Sequence, residues 1–278
     1  MSLKMFKALR NLVLAFVALF VLLLVGLNSW GLVTLGTVSL DVNALRDSQS
    51  NKVVLVTGAT GSVGDGLLKA AMADEEVEKL YALTRRMSPR LEKGQSSGRV
   101  KVLIHQDFTD YSELTQELAE VNTVLWGLGT TSIGMESEWY RVIHEDFPVN
   151  FVRQWITARS GEGPMAFHYV TGMGTGEDED DEWAQVKGRA ERRVAELAEG
   201  TDLRTFGHRS AWVRPTDENA NWLMCAMEPL LIPGHLVIRG VDLGGAMLEI
   251  SARTHELPNG QLLDNKDARE YAEAYRTQ

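Results

Sequence analysis

The chain begins with a long apolar segment. Residues 13–40 carry no charge, and this length exceeds the roughly 20 apolar residues that a helix needs to cross a bilayer. Lys4, Lys7 and Arg10 precede the segment, so the positive-inside rule favours a cytosolic N-terminus. We therefore predict a single-pass membrane anchor over residues 1–40. A cleaved signal peptide or a buried core helix are the alternatives, but the segment is longer than a signal peptide's apolar region and has no polar face.

The pattern changes after a predicted polar linker over residues 41–51. Short apolar runs without alternation predict strands that are buried on both faces, and longer segments between them predict helices. The predicted strands are 52–57, 80–83, 100–104, 123–127, 165–170, 203–206 and 261–263, and the predicted helices include 113–120, 138–160 with a kink at Pro148, 183–199 and 241–250. This alternation predicts an α/β fold, a doubly wound parallel sheet in one domain over residues 52–278, with a small C-terminal substrate region.

Charge and cysteine content narrow the possible functions. The chain has 278 residues and a formal net charge of -10, and its first forty residues contain no acid. The acidic body would repel phosphate backbones, so nucleic acid is not expected as a partner. Cys225 is the single cysteine, which excludes an internal disulfide framework and a multi-thiolate metal site. No metal site is predicted.

A glycine loop follows the first predicted strand. Residues 57–64 read Thr-Gly-Ala-Thr-Gly-Ser-Val-Gly, and a helix-forming segment comes next. Strand, glycine loop and helix in this order form a cradle for a dinucleotide pyrophosphate, which the helix N-terminus attracts. Gly58 permits the tight turn, Gly61 lets the backbone approach the phosphates, and Gly64 allows close helix packing. The predicted cofactor-binding residues here are Gly58, Thr60, Gly61, Ser62, Val63 and Gly64.

The second and third strands predict which dinucleotide binds. Thr84 lies where an acid would bind the ribose of NAD, and Arg85 and Arg86 follow it. A guanidinium there can bind a 2′-phosphate, so we predict NADP rather than NAD. A solvated basic pair at a strand end is the alternative reading. Asp107 and Phe108, after the third strand, are predicted to contact the adenine ring.

These motifs resemble an atypical short-chain dehydrogenase/reductase. Within that superfamily the chain most resembles the Tat-interacting-protein oxidoreductase group, over about residues 52–275. The resemblance rests on the glycine loop, the arginine pair, Leu128-Gly129-Thr130-Thr131, Val170-Thr171-Gly172, the segment 185–191 (Gln-Val-Lys-Gly-Arg-Ala-Glu) and the segment 262–266 (Leu-Leu-Asp-Asn-Lys). It implies a Rossmann fold and adds Leu128, Gly129 and Thr130 to the cofactor site.

The resemblance also implies catalytic positions. Reductases of this superfamily use a Tyr-x-x-x-Lys pair, and Lys187 matches the lysine, which would hold the nicotinamide ribose. Trp183 stands at the tyrosine position, and an indole N–H cannot supply a proton at ordinary pH. Thr171 matches the hydroxyl that steadies the substrate oxygen, and His144 lies near the proton-relay position. His144 acting through water, Tyr169 or Tyr140 are alternative proton donors.

Three further segments bear on the substrate region. Residues 177–182 are all acidic and favour a solvated loop before a helix N-terminus. The alternative is that a cationic substrate or partner binds at the entrance of the active site, which this loop should border. Either Arg209 or Arg214 fits the arginine that relatives carry after the sixth strand. Residues 219–231 are largely apolar, with Trp222, Met224, Met227 and Leu230, and are predicted to belong to the core, with a pocket lining as the alternative.

Two functional hypotheses follow from these patterns. The first is a membrane-anchored, NADP(H)-dependent oxidoreductase acting on an unidentified small molecule. The second is a non-catalytic NADP(H)-binding scaffold or assembly factor with a protein partner, because Trp183 replaces the usual tyrosine. Fold does not distinguish between them.

Overall fold

The N-terminal helix stands apart from the body for most of its length. The computed structural model describes residues 3–253 and 255–277. Helix α1, Leu3–Thr34, is continuous, and nearly all of its side chains are exposed. It is the one helix of the described chain that is long and apolar enough to cross a membrane. Its 32 residues rise about 48 Å at 1.5 Å per residue.

A seven-stranded parallel sheet forms the centre of the body. Its strands are β1 Val53–Thr57, β2 Lys79–Thr84, β3 Lys101–Ile104, β4 Thr123–Trp126, β5 Met165–Val170, β6 Leu203–His208 and β9 Gln261–Leu263. They lie in the order β3-β2-β1-β4-β5-β6-β9, and every neighbouring pair is parallel. The predicted doubly wound Rossmann fold is therefore confirmed. The order reverses between β1 and β4, and ligands bind such sheets at the carboxyl edge beside this point.

Helices cover both faces of the sheet. They are α2 Ser62–Ala73, α3 Pro89–Ser96, α4 Thr115–Glu120, α5 Ser137–Arg141, α6 Phe147–Ala158, α7 Glu182–Ala198, α8 Trp222–Leu231, α9 Gly240–Ala252 and α10 Asn265–Arg276. Helices α2, α9 and α10 pack on one face, and α4, α6 and α7 on the other. Side chains alternate accordingly, since Val54 and Val56 of β1 point to the first layer and Leu55 to the second. A separate parallel pair, β7 Trp212–Arg214 and β8 Val237–Arg239, lies beside them.

The segment predicted as a linker is bound to the body. The backbone N–H of Thr37 donates to Asp267 at 2.9 Å, and the side chain of Asn51 donates to the Leu248 carbonyl at 2.8 Å. Arg46 forms ion pairs with Glu76 and the buried Glu249. Two polar residues of the predicted linker 41–51, Arg46 and Asn51, thus find partners on α9, and Thr37, at the end of the predicted anchor 1–40, finds one on α10.

Two other expectations need correction. The single helix predicted over 138–160 is α5, a π-helical turn Val142–Asp146 and α6, which begins just before Pro148. Residues 219–231 do not belong to the core. Most of them form α8, in which Glu228 is the one buried residue. The helix turns this charged side chain inward and leaves Trp222, Leu223 and Leu230 exposed. Its remaining large apolar side chains, Met224, Met227 and Leu231, are half-buried.

Candidate functional site

The glycine loop joins β1 to α2 at the carboxyl edge of the sheet. Gly58 has φ +69°, and a Cβ added there would lie 2.3 Å from the Gly127 carbonyl oxygen. A Cβ at Gly64 would lie 2.2 Å from the Gly58 oxygen. Both contacts are with backbone, so the loop can close only with glycine at these two positions. The Gly61 N–H donates to the Gly58 oxygen at 2.8 Å and fixes the turn.

Gly61 is not required by the fold itself. Its φ is -99°, which any residue adopts, and an added Cβ would meet only the Gly58 oxygen, at 3.3 Å. Gly61 and Ser62 are exposed at the start of α2, and Thr60 and Val63 are half-buried beside them. A glycine that packing does not demand leaves exposed N–H groups open to a close ligand. This loop therefore fits a pyrophosphate.

Arg85 and Arg86 extend from the end of β2 into solvent. The Arg85 carbonyl accepts from the Gln106 side chain at 2.9 Å, and the Arg86 carbonyl accepts from the Thr84 hydroxyl at 2.9 Å. Neither guanidinium forms an ion pair with any residue that the structure describes. Arg90, by contrast, binds Asp65 through two bonds of 2.5 and 3.0 Å. The arginine pair thus remains available to an anionic group.

The two residues after β3 that were predicted to contact adenine differ in their exposure to solvent. Asp107 is exposed, and two bonds from Thr109 hold the pKa of its carboxyl below the usual range. Phe108 is 1% exposed, with its ring centroid 5.6 Å from that of His105 and 5.7 Å from that of Phe147. Its ring is part of the core, so the predicted contact of this ring with adenine is not available.

The loop after β4 rests on His144. Thr130 approaches the His144 Nε2 with its N–H at 3.1 Å and its carbonyl oxygen at 3.0 Å. A Cβ added at the exposed Gly129 would lie 2.8 Å from the His144 ring. The Leu128 N–H donates to the Thr57 hydroxyl at 3.2 Å. The structure therefore brings Leu128, Gly129 and Thr130 to the same edge as the glycine loop.

The π-helical turn holds His144 in place through its backbone. Pro148 has no N–H to donate to the His144 carbonyl four residues earlier, and the Tyr169 hydroxyl donates to that carbonyl at 2.6 Å instead. Tyr169 is 1% exposed and is used by this bond, so it does not serve as the proton donor. Burial, with the nearby Lys187 charge, lowers the His144 pKa to about 4. His144 is neutral at pH 7 and positions the loop.

Burial also raises the pKa of Tyr140, whose ring centroid lies 4.3 Å from that of His144, to about 12.

Lys187 lies on α7, next to His144 of the π-helical turn. Its Nζ donates to the Thr171 carbonyl oxygen at 2.5 Å and lies 5.9 Å from the centroid of the Trp183 ring. Burial lowers its pKa to about 8, against the opposing effect of Glu191. The Thr171 hydroxyl donates to Glu191 at 2.6 Å. This hydroxyl is already committed, which argues against its predicted contact with a substrate oxygen.

Several charged residues around the edge are paired. Arg209 binds Glu191 at 2.7 Å, and the buried Arg214 binds Glu228 at 2.6 Å. Within the acidic run, Glu177 binds Arg192 and Glu182 accepts from Ser137 at 2.9 Å. The remaining acids of residues 177–182 are exposed, as expected for a solvated loop.

Two acids were missed in the sequence. Asp65, in the first turn of α2, is buried and accepts from Thr216 at 2.6 Å and from Asn219 at 2.9 Å, as well as from Arg90. Its position directly after Gly64, the last glycine of the loop, is the sequence signal that could have identified it as part of the site. Glu191, which joins Thr171 to Arg209, stands four residues after Lys187 and so shares its helix face.

Sequence comparison finds two relatives that match part of this chain. No protein-family model matches the sequence. "Protein FMP52, mitochondrial" of Kluyveromyces lactis is 31% identical over 146 residues, which are 51% of this chain and 60% of that protein. Its namesake in Eremothecium gossypii is 35% identical over 94 residues, 33% of this chain and 38% of that protein. The match thus spans less than two thirds of either relative.

Solved structures resemble most of the chain. A short-chain dehydrogenase/reductase family oxidoreductase from Burkholderia thailandensis has a TM-score of 0.59 at 17% identity, over 77% of this chain and 90% of that one. A 3-oxoacyl-[acyl-carrier protein] reductase from Brucella melitensis, in complex with NAD, has a TM-score of 0.55 at 16% identity, over 79% and 97%. At such identities the likeness shows the fold. This chain has the Rossmann fold of the short-chain dehydrogenases/reductases.

Proposed function

We propose that this protein is a membrane-anchored, NADP(H)-dependent oxidoreductase of the atypical short-chain dehydrogenase/reductase type, related to the Tat-interacting-protein group. The observation that carries the proposal is the glycine loop at the reversal of strand order, with Lys187 at the same sheet edge. The exposed Arg85 and Arg86 support NADP over NAD. The long apolar α1 supports anchoring, and the names of the two relatives support a mitochondrial location.

The cofactor would lie across the carboxyl edge of the sheet. The residues from Gly58 to Gly64 would hold its pyrophosphate, and Arg85 and Arg86 its 2′-phosphate. Asp107 and the loop 128–130 would border the adenosine half, and Lys187 the nicotinamide ribose. When bound in reduced form, the cofactor supplies a hydride to a carbonyl carbon.

Lys187 is the group at this edge that can supply the matching proton. Trp183 has no acidic proton, and His144 is neutral at pH 7. With a pKa of about 8, Lys187 is mostly an ammonium at pH 7 yet releases its proton readily to an alkoxide. One of its three N–H groups donates to Thr171, and the other two remain for the ribose and the substrate oxygen. Solvent reprotonates the neutral amine after each turnover.

Replacement of Lys187 tests this role. We expect Lys187→Gln to reduce the rate of NADPH oxidation with decanal or phenanthrenequinone about 100-fold, because general acid catalysis contributes on the order of this factor. The wild-type rate should fall as pH rises through about 8, since the donor is then deprotonated. NADPH absorbance in the detergent-solubilised full chain follows both effects. Lys101→Ala, on an exposed lysine of β3, serves as the control and should leave the rate unchanged.

Two observations favour the second function, a non-catalytic NADP(H)-binding scaffold. Trp183 replaces the usual proton donor, and Glu191 occupies the Thr171 hydroxyl. Under this alternative the wild type binds NADPH but reduces neither probe, and Trp183→Tyr gains turnover. Under the oxidoreductase proposal the wild type reduces the probes. In Trp183→Tyr the pH at which the rate falls then shifts away from about 8, the pKa of Lys187.

A further inference from the structure

Helix α8 presents an apolar surface to the outside. Trp222 is 80% exposed, Leu223 52% and Leu230 40%. Cys225, Ala226 and Pro229 are also exposed. Outward-facing large apolar side chains at both ends of one helix, with exposed small apolar residues between them, mark an interaction surface.

The charged side chain of α8 points the other way. Glu228 is buried and binds Arg214 at 2.6 Å and Arg239 at 2.5 Å. The Asn221 side chain caps the first turn by accepting from the Met224 N–H at 3.0 Å. The polar groups of α8 are thus turned toward the body or used at its end, and its outer face carries no charge.

The end of α8 is fixed to the N-terminal helix. Asn28 of α1 donates to the Leu230 carbonyl at 3.0 Å and accepts from the Gly234 N–H at 2.6 Å. A Cβ added at Gly31 would lie 2.0 Å from the Gly234 oxygen. The backbone of α1 therefore touches that of the loop just after α8, and the exposed Leu230 at the end of α8 lies beside α1.

This contact lies at one end of the expected membrane span. Arg10 is the last charge before the apolar run, and about 20 helical residues after it, enough to cross the hydrocarbon core, end near Trp30. Asn28 and Gly31, which contact the α8 end, lie at this level. Trp30 is 44% exposed, and Trp222 also faces outward; tryptophan is enriched at membrane interfaces.

We propose that α8 is a membrane-surface helix, with its outer face inserted at the boundary between lipid headgroups and acyl chains on the side where α1 leaves the bilayer. The proposal rests on the anchoring by α1. The bilayer is favoured over a protein partner because Leu230, at the end of the outer face, lies beside a helix that is itself apolar and uncovered. Thr216 and Asn219, just before α8, bind Asp65 in α2, so insertion would hold the glycine loop close to the lipid surface.

Cys225 permits a direct test, since it is exposed on α8 and is the single cysteine. The full chain is reconstituted in phosphatidylcholine vesicles, checked by flotation, and labelled at Cys225 with a nitroxide. Collision with oxygen, which concentrates in lipid, is compared with collision with a water-soluble nickel chelate. The control is Cys225→Ser with Ser160→Cys, because Ser160 is exposed and hydrogen-bonds near the amino edge of the sheet.

We expect the oxygen-to-nickel collision ratio to be several-fold higher at Cys225 than at Ser160→Cys, and a Leu223→Glu variant to lower it. Equal ratios in protein that floats with the vesicles overturn the proposal and leave the anchoring intact. Protection of the Cys225 label from both reagents also overturns it, because a protein surface, such as a second copy, would then cover α8. Absence of flotation refutes the anchoring and the proposal together.

Discussion

Acidification from pH 7 to pH 5 is expected to lower the free energy of unfolding by at least about 2 kcal/mol through His208, with His168 acting in the same direction. Both side chains are buried in the core, at 0% and 1% exposure. Nδ1 of His168 lies 2.9 Å from Nε2 of His208, and its Nε2 lies 2.8 Å from the Ser251 hydroxyl. Ser251 donates in turn to the Met247 carbonyl at 3.0 Å.

This chain of bonds is satisfied by neutral rings. With Ser251 donating onward, His168 donates to Ser251 and accepts from His208, so an added proton on either ring has no acceptor. Burial lowers the pKa of His208 to about 3 and that of His168 well below its usual value. Unfolded histidines titrate near 6.5. The stability is therefore fully present above about pH 6.5 and is lost as pH falls toward the folded pKa, by about 2 kcal/mol for His208 at pH 5.

Urea unfolding of the detergent-solubilised chain at pH 7, 6 and 5, followed by circular dichroism, measures this loss. His208→Gln removes one titrating ring and should reduce the loss between pH 7 and pH 5 by about 2 kcal/mol, the share of that ring. His255→Gln, on an exposed histidine, should leave the loss as it is in the wild type. A stability that is equal at pH 7 and pH 5, or a His208→Gln variant with the full pH dependence, would contradict this interpretation.

Substitutions in the glycine loop should separate the needs of the fold from those of the ligand. At Gly64 an added Cβ lies 2.2 Å from a backbone oxygen, so Gly64→Ala should overpack the loop and cost about 3 kcal/mol of stability. The distorted loop should no longer bind NADPH. At Gly61 the nearest atom is 3.3 Å away. Gly61→Ala requires only a shift of a few tenths of an ångström, so it should lose much less stability than Gly64→Ala. It should nevertheless bind NADPH at least about 100-fold more weakly, a change of about 2.8 kcal/mol.

Calorimetric titration gives the affinities, and urea unfolding gives the stabilities. Gly26→Ala is the control, because a Cβ at this position in α1 meets nothing within 4 Å. Wild-type NADPH affinity in Gly61→Ala would mean that the pyrophosphate does not approach this backbone.

Features of the fold that depend on neighbouring residues can be predicted from the sequence. The glycine loop and the alternation of strands and helices are set by neighbouring residues, and the spacing of Gly58, Gly61 and Gly64 was sufficient to place them. The direction of a side chain depends on distant partners instead. Phe108 turns into a cluster with Phe147, and Thr171 turns to Glu191 twenty residues later, and no local pattern indicates either contact.

Composition also cannot distinguish an inner apolar surface from an outer one. Residues 219–231 have the content of a core segment, and the ion pairs of Glu228 with Arg214 and Arg239 reverse that expectation. The same holds for residues 41–51, whose polarity suggested a linker. Arg46 and Asn51 use that polarity to bind α9.

Titration of NADPH and NADH into the detergent-solubilised full chain, by calorimetry, is the most direct test of the proposed cofactor site. The exposed Arg85 and Arg86 predict that NADPH binds at least tenfold more tightly than NADH, a difference of about 1.4 kcal/mol, and that Arg85→Glu/Arg86→Glu abolishes the difference. Arg153→Glu, on an exposed arginine of α6, should preserve it. Equal affinities in the wild type would contradict the NADP preference, and the absence of binding by either nucleotide to the folded protein would contradict the dinucleotide site and the oxidoreductase function with it.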